Sequence, residues 1–353
     1  MKKTVDKFFV LKGCFRNVKV WTFTENIDGS FTEPQGFRNV GVTDRAVALG
    51  YFDGVHAGHR AILEKLTYEA RINHLTAAVH TFSSLPKSKK EDASVENSSV
   101  ITTIAEKCAY FSLSGADETF LFPFTEHLAE MSPEAFLSEI LLDTLHSRVI
   151  VCGEDYRFGK DRLGDVSLLR KWAAQNRIDV YTIAPICHDG QVISSSRIRG
   201  LIHDGNVHLA NILLGYPISY QGTVQVGRKI GRTLGFPTAN IAIEEGKVIP
   251  AYGVYASLLF TKDEMYPSIT SVGVRPTVNP SKSGVLIETT MFDREMDLYG
   301  QPIRVYLLEY IRGECCFDGV EMLKDQVFRD MAKVRQYHDR HRYEYSNILP
   351  GVV

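Results

Sequence analysis

Residues Leu49–His59, LGYFDGVHAGH, decide how the rest of the chain is read. Val47–Tyr51 is apolar enough for a buried strand, Gly50 and Gly54 allow a tight turn, and Ile62, Leu63, Leu66 and Ala70 follow at helical spacing. A strand that stops in a glycine turn and releases a helix points the helix N-terminus at the loop. Exposed N–H groups and the positive end of the helix dipole favour an anion there, and Gly54 and Gly58 let a phosphate approach without a Cβ in the way. His56 and His59 are three residues apart, which puts both imidazoles on one face of a first helical turn, beside the same anion. Against this stands the plainer reading, in which a histidine near a helix start only caps it and a Gly-x-x-Gly spacing specifies little.

At 353 residues the chain exceeds one ordinary domain, and a size of about 150 residues per domain implies two. With 44% hydrophobic and 23% charged residues, it can bury sizeable cores. A net charge of −2 and a pI near 6.6 supply no global field for nucleic acid or acidic lipid, so neither is expected as a partner. No apolar run reaches the roughly 18 residues that cross a bilayer, and the start MKKTVDKFFVLKGCFRN lacks a long apolar stretch with a small-residue cleavage site. The six cysteines (Cys14, Cys108, Cys152, Cys187, Cys315 and Cys316) form no Cys-x-x-Cys pair. A cytoplasmic protein is expected; the oligomeric state is left open. Residues 1–45 offer a possible strand at Trp21–Phe23, a turn at Asn26–Gly29, and no site.

From Leu49 to about Ile183 strands and helices alternate. Strands are expected at Val47–Tyr51, Thr76–Phe82, Thr119–Phe122, Arg148–Cys152 and Val180–Ile183. Thr103 with Glu106 forms a capping box, and Ser132-Pro133 opens a helix carrying Phe136, Leu137, Ile140 and Leu141. Alternating units predict a parallel sheet with helices on both faces and ligands at the carboxyl ends of its strands. Two further loops fall at that end. Cys152–Gly159, CGEDYRFG, is either an ordinary loop with aromatic core residues or a surface for an adenine or flavin ring. Ile193–Arg199, ISSSRIR, either caps a helix with serines or clamps a triphosphate with hydroxyls and the planar fork of Arg199.

After a helix over Gly205–Leu214, the Gly215-Tyr216-Pro217 break marks the expected boundary between domains 1–214 and 215–345. Six strand-like runs follow without helices: Thr223–Val226, Thr238–Ile243, Gly253–Leu259, Ser268–Val272, Val285–Phe292 and Ile303–Tyr310. They predict a small antiparallel β-barrel, closed by an amphipathic helix with Leu323, Val327, Met331 and Val334 and an Asp318…Glu321 cap pair. Within it, Gly227–Asn240, GRKIGRTLGFPTAN, joins glycines to Arg228, Lys229 and Arg232, a composition suited to phosphate. Thr238 and Asn240 project to one face, and two neutral oxygens completed by phosphates and waters suit Mg²⁺.

These strings together resemble the prokaryotic bifunctional riboflavin kinase/FAD synthetases. LGYFDGVHAGH is similar to the HxGH nucleotidyltransferase signature. Ser194, Ser195, Ser196 and Arg199 fall on a Ser-Ser-Thr-x-x-Arg pattern, and GRKIGRTLGFPTAN, GVRPT and ETTMFDREMDLYG resemble riboflavin kinase motifs. The resemblance implies a Rossmann-like α/β nucleotidyltransferase domain, then a riboflavin kinase barrel, making FMN from riboflavin and FAD from FMN with ATP and Mg²⁺. It implies catalytic roles for Glu288, His56 and His59, and metal ligation by Thr238 and Asn240. It also implies ATP contacts at Gly50, Phe52, Asp53, Gly54, Ser194, Ser195, Ser196, Arg199, Gly227, Gly231, Arg232, Gly235 and Pro237. One departure stands out: a family pattern Thr-Phe-x-Pro-(His or Asn)-Pro meets Thr81-Phe82-Ser83-Ser84-Leu85-Pro86, and Leu85 cannot hydrogen-bond a ligand. That motivates an alternative, a monofunctional riboflavin kinase with a regulatory first domain. A flavin- or oligonucleotide-binding barrel without activity is a third reading, and the charge balance counts against nucleic acid.

Overall fold

The computed structural model describes residues 18–26, 31–34, 37, 43–83, 99–225, 236–261, 264–274, 284–294 and 296–341. Contacts divide the chain into two compact units, with the division after Ser195.

The first unit is built on β1 (Lys19–Thr22), β2 (Thr24–Glu25), β3 (Phe31–Thr32), β4 (Arg45–Leu49), β5 (Thr76–Phe82), β6 (Glu118–Phe122), β7 (Ser147–Gly153) and β8 (Asp179–Ile183). Six of these form one sheet in the order β1-β6-β5-β4-β7-β8, every pair parallel, while β2 and β3 make a separate hairpin. All five residues of β4 and of β6 are buried, as expected of strands covered on both faces. Side chains alternate between the faces. Val47 and Leu49 join Phe120, Phe122, Phe136, Leu137 and Leu169 on one side, and Ala46 and Ala48 join Leu63, Leu66, Val79 and Phe111 on the other.

The helices of this unit are α1 (Ala57–Ile72), α2 (Ile104–Leu113), α3 (Glu126–Glu130), α4 (Pro133–Ala135) and α5 (Val166–Gln175). α4 runs directly into a π-helical stretch, Phe136–Thr144, which buries the four apolar residues expected of it. The strand in the amino-terminal stretch is Lys19–Thr22, and it lengthens the sheet beyond β6. Buried Glu118 ties that edge together: its carboxylate accepts from Trp21 Nε1 at 3.0 Å and from Arg45 Nε at 2.6 Å. In this strand order the chain leaves β4 in one direction for β5 and β6 and in the other for β7 and β8. The crevice beyond the carboxyl ends of β4 and β7 is therefore the topological switch point.

A small hairpin, β9 (Cys187–His188) with β10 (Gln191–Val192), precedes α6 (Ser195–His203) and α7 (Val207–Leu214). The helix expected from Gly205 begins two residues later, because Gly205 takes a left-handed φ of 83° and Asn206 caps α7 through Leu209 N. The second unit continues with β11 (Ser219–Thr223), β12 (Ala239–Ala242), β13 (Gly253–Thr261), β14 (Glu264–Val274), β15 (Val285–Met291) and β16 (Pro302–Gly313), all antiparallel in the order β11-β16-β13-β14-β15-β12. A bridge between Gln225 and Asn240 brings the two edges together, so the sheet is a nearly closed barrel. The first barrel strand lies earlier than its apolar pattern suggests. Ser219 and Tyr220 are its buried residues, with the Tyr220 hydroxyl donating to Val248 O. α7 packs on β16, where Asn211 donates to Leu307 O and accepts from Ile218 N. α8 (Val320–His341) lies on β13 and β14 with Val334 and Asp330 buried.

Candidate functional site

The Leu49–His59 loop leaves β4 at the switch point and crosses left-handed backbone three times in four residues: Phe52 (φ 55°), Gly54 (φ 80°) and Val55 (φ 36°). For a β-branched residue that conformation is a genuine outlier, so the surroundings must over-determine it. They do so from several parts of the chain. Asp53, buried, accepts from Ile101 N at 2.8 Å and Thr102 N at 3.2 Å. Gly54 N donates to Thr102 Oγ1 at 2.9 Å, and Thr81 Oγ1 donates to Tyr51 O at 2.9 Å. Lys107 Nζ reaches the same Tyr51 carbonyl at 3.1 Å, and Ser195 Oγ donates to Asp53 O at 2.9 Å.

His56 is the N-cap of α1: its Nδ1 accepts from His59 N at 3.4 Å. That bond leaves the neutral ring with its proton on Nε2. The two imidazoles stack with centroids 3.7 Å apart, and His59 meets the edge of Phe52 at 5.2 Å. Burial lowers the His56 pKa to about 4, helped by Arg60. Burial likewise holds His59 well below its ordinary value, with His56, Lys107 and Arg60 adding to the effect. Both rings are therefore neutral near pH 7. They can act as N–H donors and do not themselves bring a positive charge. His59 Nδ1 is buried without a hydrogen-bond partner.

Of the other residues singled out in this half, Phe52 is fully buried between His59 and Phe111 and supports the loop from beneath. Gly50 closes on the Phe52 ring, which a Cβ there would approach to 3.1 Å. Arg199 donates to Ser196 Oγ at 3.2 Å, one helical turn away, and Ser194 is half-buried. In the CGEDYRFG loop, Phe158 is buried against Phe136, and Tyr156 stacks on Phe158, which is the core arrangement of the two readings given above. Leu85 and Pro86 lie outside the described residues.

Sequence spacing overlooked Lys107 and Thr102, and met Thr81 only as the start of the Thr-Phe pattern. Lys107 lies four residues before Phe111, so a charge stands on the buried stripe of α2; that mismatch was the available signal. It is 1% exposed, and its ammonium stands 3.9 Å from the Tyr51 ring centroid.

In the second unit, Gly227, Arg228, Lys229, Gly231, Arg232 and Gly235 lie outside the described residues, as do Arg275, Pro276 and Thr277. Pro237 and Thr238 are half-buried and lead into β12, where Asn240 is buried. Asn240 Nδ2 stands 3.4 Å from both Thr238 O and Thr238 Oγ1, so the two side chains meet on one face. The carboxamide oxygen of Asn240 is buried and unpartnered. An orphaned oxygen beside a hydroxyl is a donor set that fits a hard cation such as Mg²⁺. Glu288 is the cross-strand partner of Asn240 in the β12–β15 ladder and is exposed.

Comparison with known proteins agrees in both halves. Residues 41–197 match the FAD synthetase family and residues 214–338 the riboflavin kinase family. The chain is 35% identical over 292 residues to the bifunctional riboflavin kinase/FMN adenylyltransferase of Escherichia coli K12, covering 82% of this chain and 92% of that one. The proteins of the same name from Listeria monocytogenes (34% over 294 residues, 83% and 92% covered) and Bacillus subtilis (32% over 292 residues, 82% and 92%) are similar to it too. A crystal structure from Streptococcus pneumoniae, described as a macrolide-efflux protein, superposes with a TM-score of 0.76 at 32% identity, covering 85% of this chain and 96% of that one.

Proposed function

The chain belongs to the bifunctional riboflavin kinase/FMN adenylyltransferase family, and from that premise we propose how its two reactions are shared between the units. In the barrel, the γ-phosphoryl of ATP passes to the 5′-hydroxyl of riboflavin, giving FMN and ADP. In the parallel-sheet unit, the FMN phosphate attacks the α-phosphorus of a second ATP, giving FAD and releasing pyrophosphate. We assign residues 1–214 to adenylylation and 215–345 to phosphorylation.

The observation that carries this reading is that each unit presents a buried, unpartnered polar atom inside its own phosphate motif, His59 Nδ1 in one and Asn240 Oδ1 in the other. At the first, His56 Nε2–H and the His59 ring donate to oxygens of the α-phosphate as charge develops there. Ser195 ties the Asp53 carbonyl so that the glycine loop keeps its shape, and Ser196 and Arg199 carry a hydroxyl and a planar guanidinium suited to phosphate. Gly54 and the first turn of α1 leave room for an oxyanion. At the second, Glu288 takes the proton of the ribityl hydroxyl as it attacks. Thr238 and Asn240 would hold Mg²⁺, which would supply positive charge to the phosphates. The substrates are ATP, riboflavin and FMN, and a cytoplasmic location suits them.

The Leu85 departure favours one competitor, a kinase whose first unit no longer adenylylates; the names of the relatives and the presence of both regions support the bifunctional reading over it. Incubation of the full chain with riboflavin, ATP and Mg²⁺, followed by chromatography, separates them. FAD is the expected product, FMN alone would establish the monofunctional enzyme, and unchanged riboflavin would refute both.

A further inference from the structure

A lysine whose ammonium is withdrawn from water needs a reason, because a desolvated charge is costly unless something nearby compensates it. Lys107 is such a residue, 1% exposed on the second turn of α2. Its ammonium donates to the Tyr51 carbonyl at 3.1 Å and faces the Tyr51 ring at 3.9 Å. The Tyr51 carbonyl is the last one before the left-handed turn, and it also accepts from Thr81. The segment that carries Lys107 grips the turn again through Ile101, Thr102 and Asp53. A structural clamp of this kind could be made with a neutral donor. A cation adds a fixed field at His59, whose ring stacks on His56 and has an unpartnered nitrogen.

We propose that Lys107 is a positioning residue for adenylyl transfer: its buried ammonium pins the Tyr51–Val55 turn and supplies the positive charge that the histidine pair lacks. This deepens the adenylylation reading given above and rests on it. The groups concerned are few. His59 faces His56 within α1's first turn, Arg60 on α1 and Lys107 from α2; Lys107 faces Asp53 in the loop and Cys108 on its own helix. The field of Lys107 helps keep His59 unprotonated, so that the neutral ring meets the phosphate as a hydrogen-bond donor. Burial lowers the Lys107 pKa to about 8 against the opposing pull of Asp53. It is therefore mostly charged near pH 7 and loses its charge as the pH rises through that value.

Three full-length proteins test this: the parent, Lys107→Met, which keeps length and removes charge, and Lys107→Arg, which keeps charge at higher pH. FMN adenylylation is followed against pH, with rates normalised to riboflavin phosphorylation by the same chain, and the histidines are titrated by NMR. In Lys107→Met, kcat for FAD formation is expected to fall about a hundredfold. The His59 titration and the acid limb of the profile should both move to higher pH, because a like charge has been removed. The parent is expected to show an alkaline limb near pH 8, and in Lys107→Arg that limb should recede to higher pH. A purely structural lysine would lower the rate without moving either limb, and that result overturns the proposal. So does an unchanged His59 titration in folded Lys107→Met. If Lys107→Met does not fold, the alkaline limb of Lys107→Arg decides: a limb that stays near pH 8 counts against the proposal. A parent that makes no FAD defeats the adenylylation reading, while the His59 titration still decides what the lysine does.

Discussion

The two candidate sites are made in different ways. In the first unit the chemistry rides on a loop with three left-handed residues, and its shape is held by partners from β5, α2, the segment before α2 and the start of α6. In the second, Thr238 and Asn240 meet at the start of a strand, and Glu288 sits opposite Asn240 because the β12–β15 register puts it there. A loop-built site depends on distant residues that hold the turn in shape. A strand-built site depends on the ladder that sets its few polar residues beside one another. Substitutions should therefore fail differently in the two places.

The sharpest contrast is expected at Asn240. Asn240→Leu removes one oxygen at similar size, and FMN formation should fall about a thousandfold or more with the fold intact. Full kinase activity in the folded variant would remove Asn240 from the site. Next comes the histidine pair: His56→Ala with His59→Ala should slow FMN-to-FAD conversion by roughly a hundredfold while riboflavin phosphorylation persists. Normal FAD synthesis by that double variant would refute the role given to the pair.

Smaller, and specific to a loop-built site, is Thr102→Val. The hydroxyl that receives Gly54 N–H disappears, at a cost of about 1–3 kcal/mol for the orphaned donor. Adenylylation should drop about tenfold, in proportion to the loosened turn. An unaltered rate would mean the turn does not need that clamp.

The smallest effect concerns pH. His80, on β5, is buried among Phe82, Phe122 and Phe136 with neither ring nitrogen hydrogen-bonded, and burial lowers its pKa to about 4. A depressed histidine pKa means that the fold rejects the proton. Its contribution is intact above the unfolded value near 6.5 and is lost as pH falls from there toward 4. Between pH 7 and about pH 5.5 this amounts to about 1 kcal/mol. Denaturant melts of His80→Leu should show correspondingly less acid sensitivity than the parent; equal sensitivity would assign the effect to other groups, His56 among them.

Much of this architecture was legible in the chain because it follows from period. Thr76–Phe82 is the strand the pattern marks, and Gly253, Val285 and the Thr103–Glu106 capping box fall where local chemistry puts them. Short or polar elements were harder to see. KVWT is an edge strand through its parallel ladder with β6, far along the chain, where Glu118 also accepts from Trp21, and SYQGT is a barrel strand with little apolar content. The candidate site divides in the same way. His56, His59, Thr238 and Asn240 sit within short strings and can be read from them. Lys107 and Thr102 act on a turn about fifty residues earlier in the chain, and no local spacing encodes a partner at that separation.

The central claim is that the two reactions belong to two separately built sites, and Glu288→Gln in the full chain tests it most directly, since it keeps shape and removes a proton acceptor. The variant is given riboflavin in one reaction and FMN in another, each with ATP and Mg²⁺, and FAD is measured over time. FAD should form from supplied FMN at the parent rate and fail to form from riboflavin. Parent-like FAD synthesis from riboflavin, or loss of FAD synthesis from both substrates in a folded protein, would contradict it.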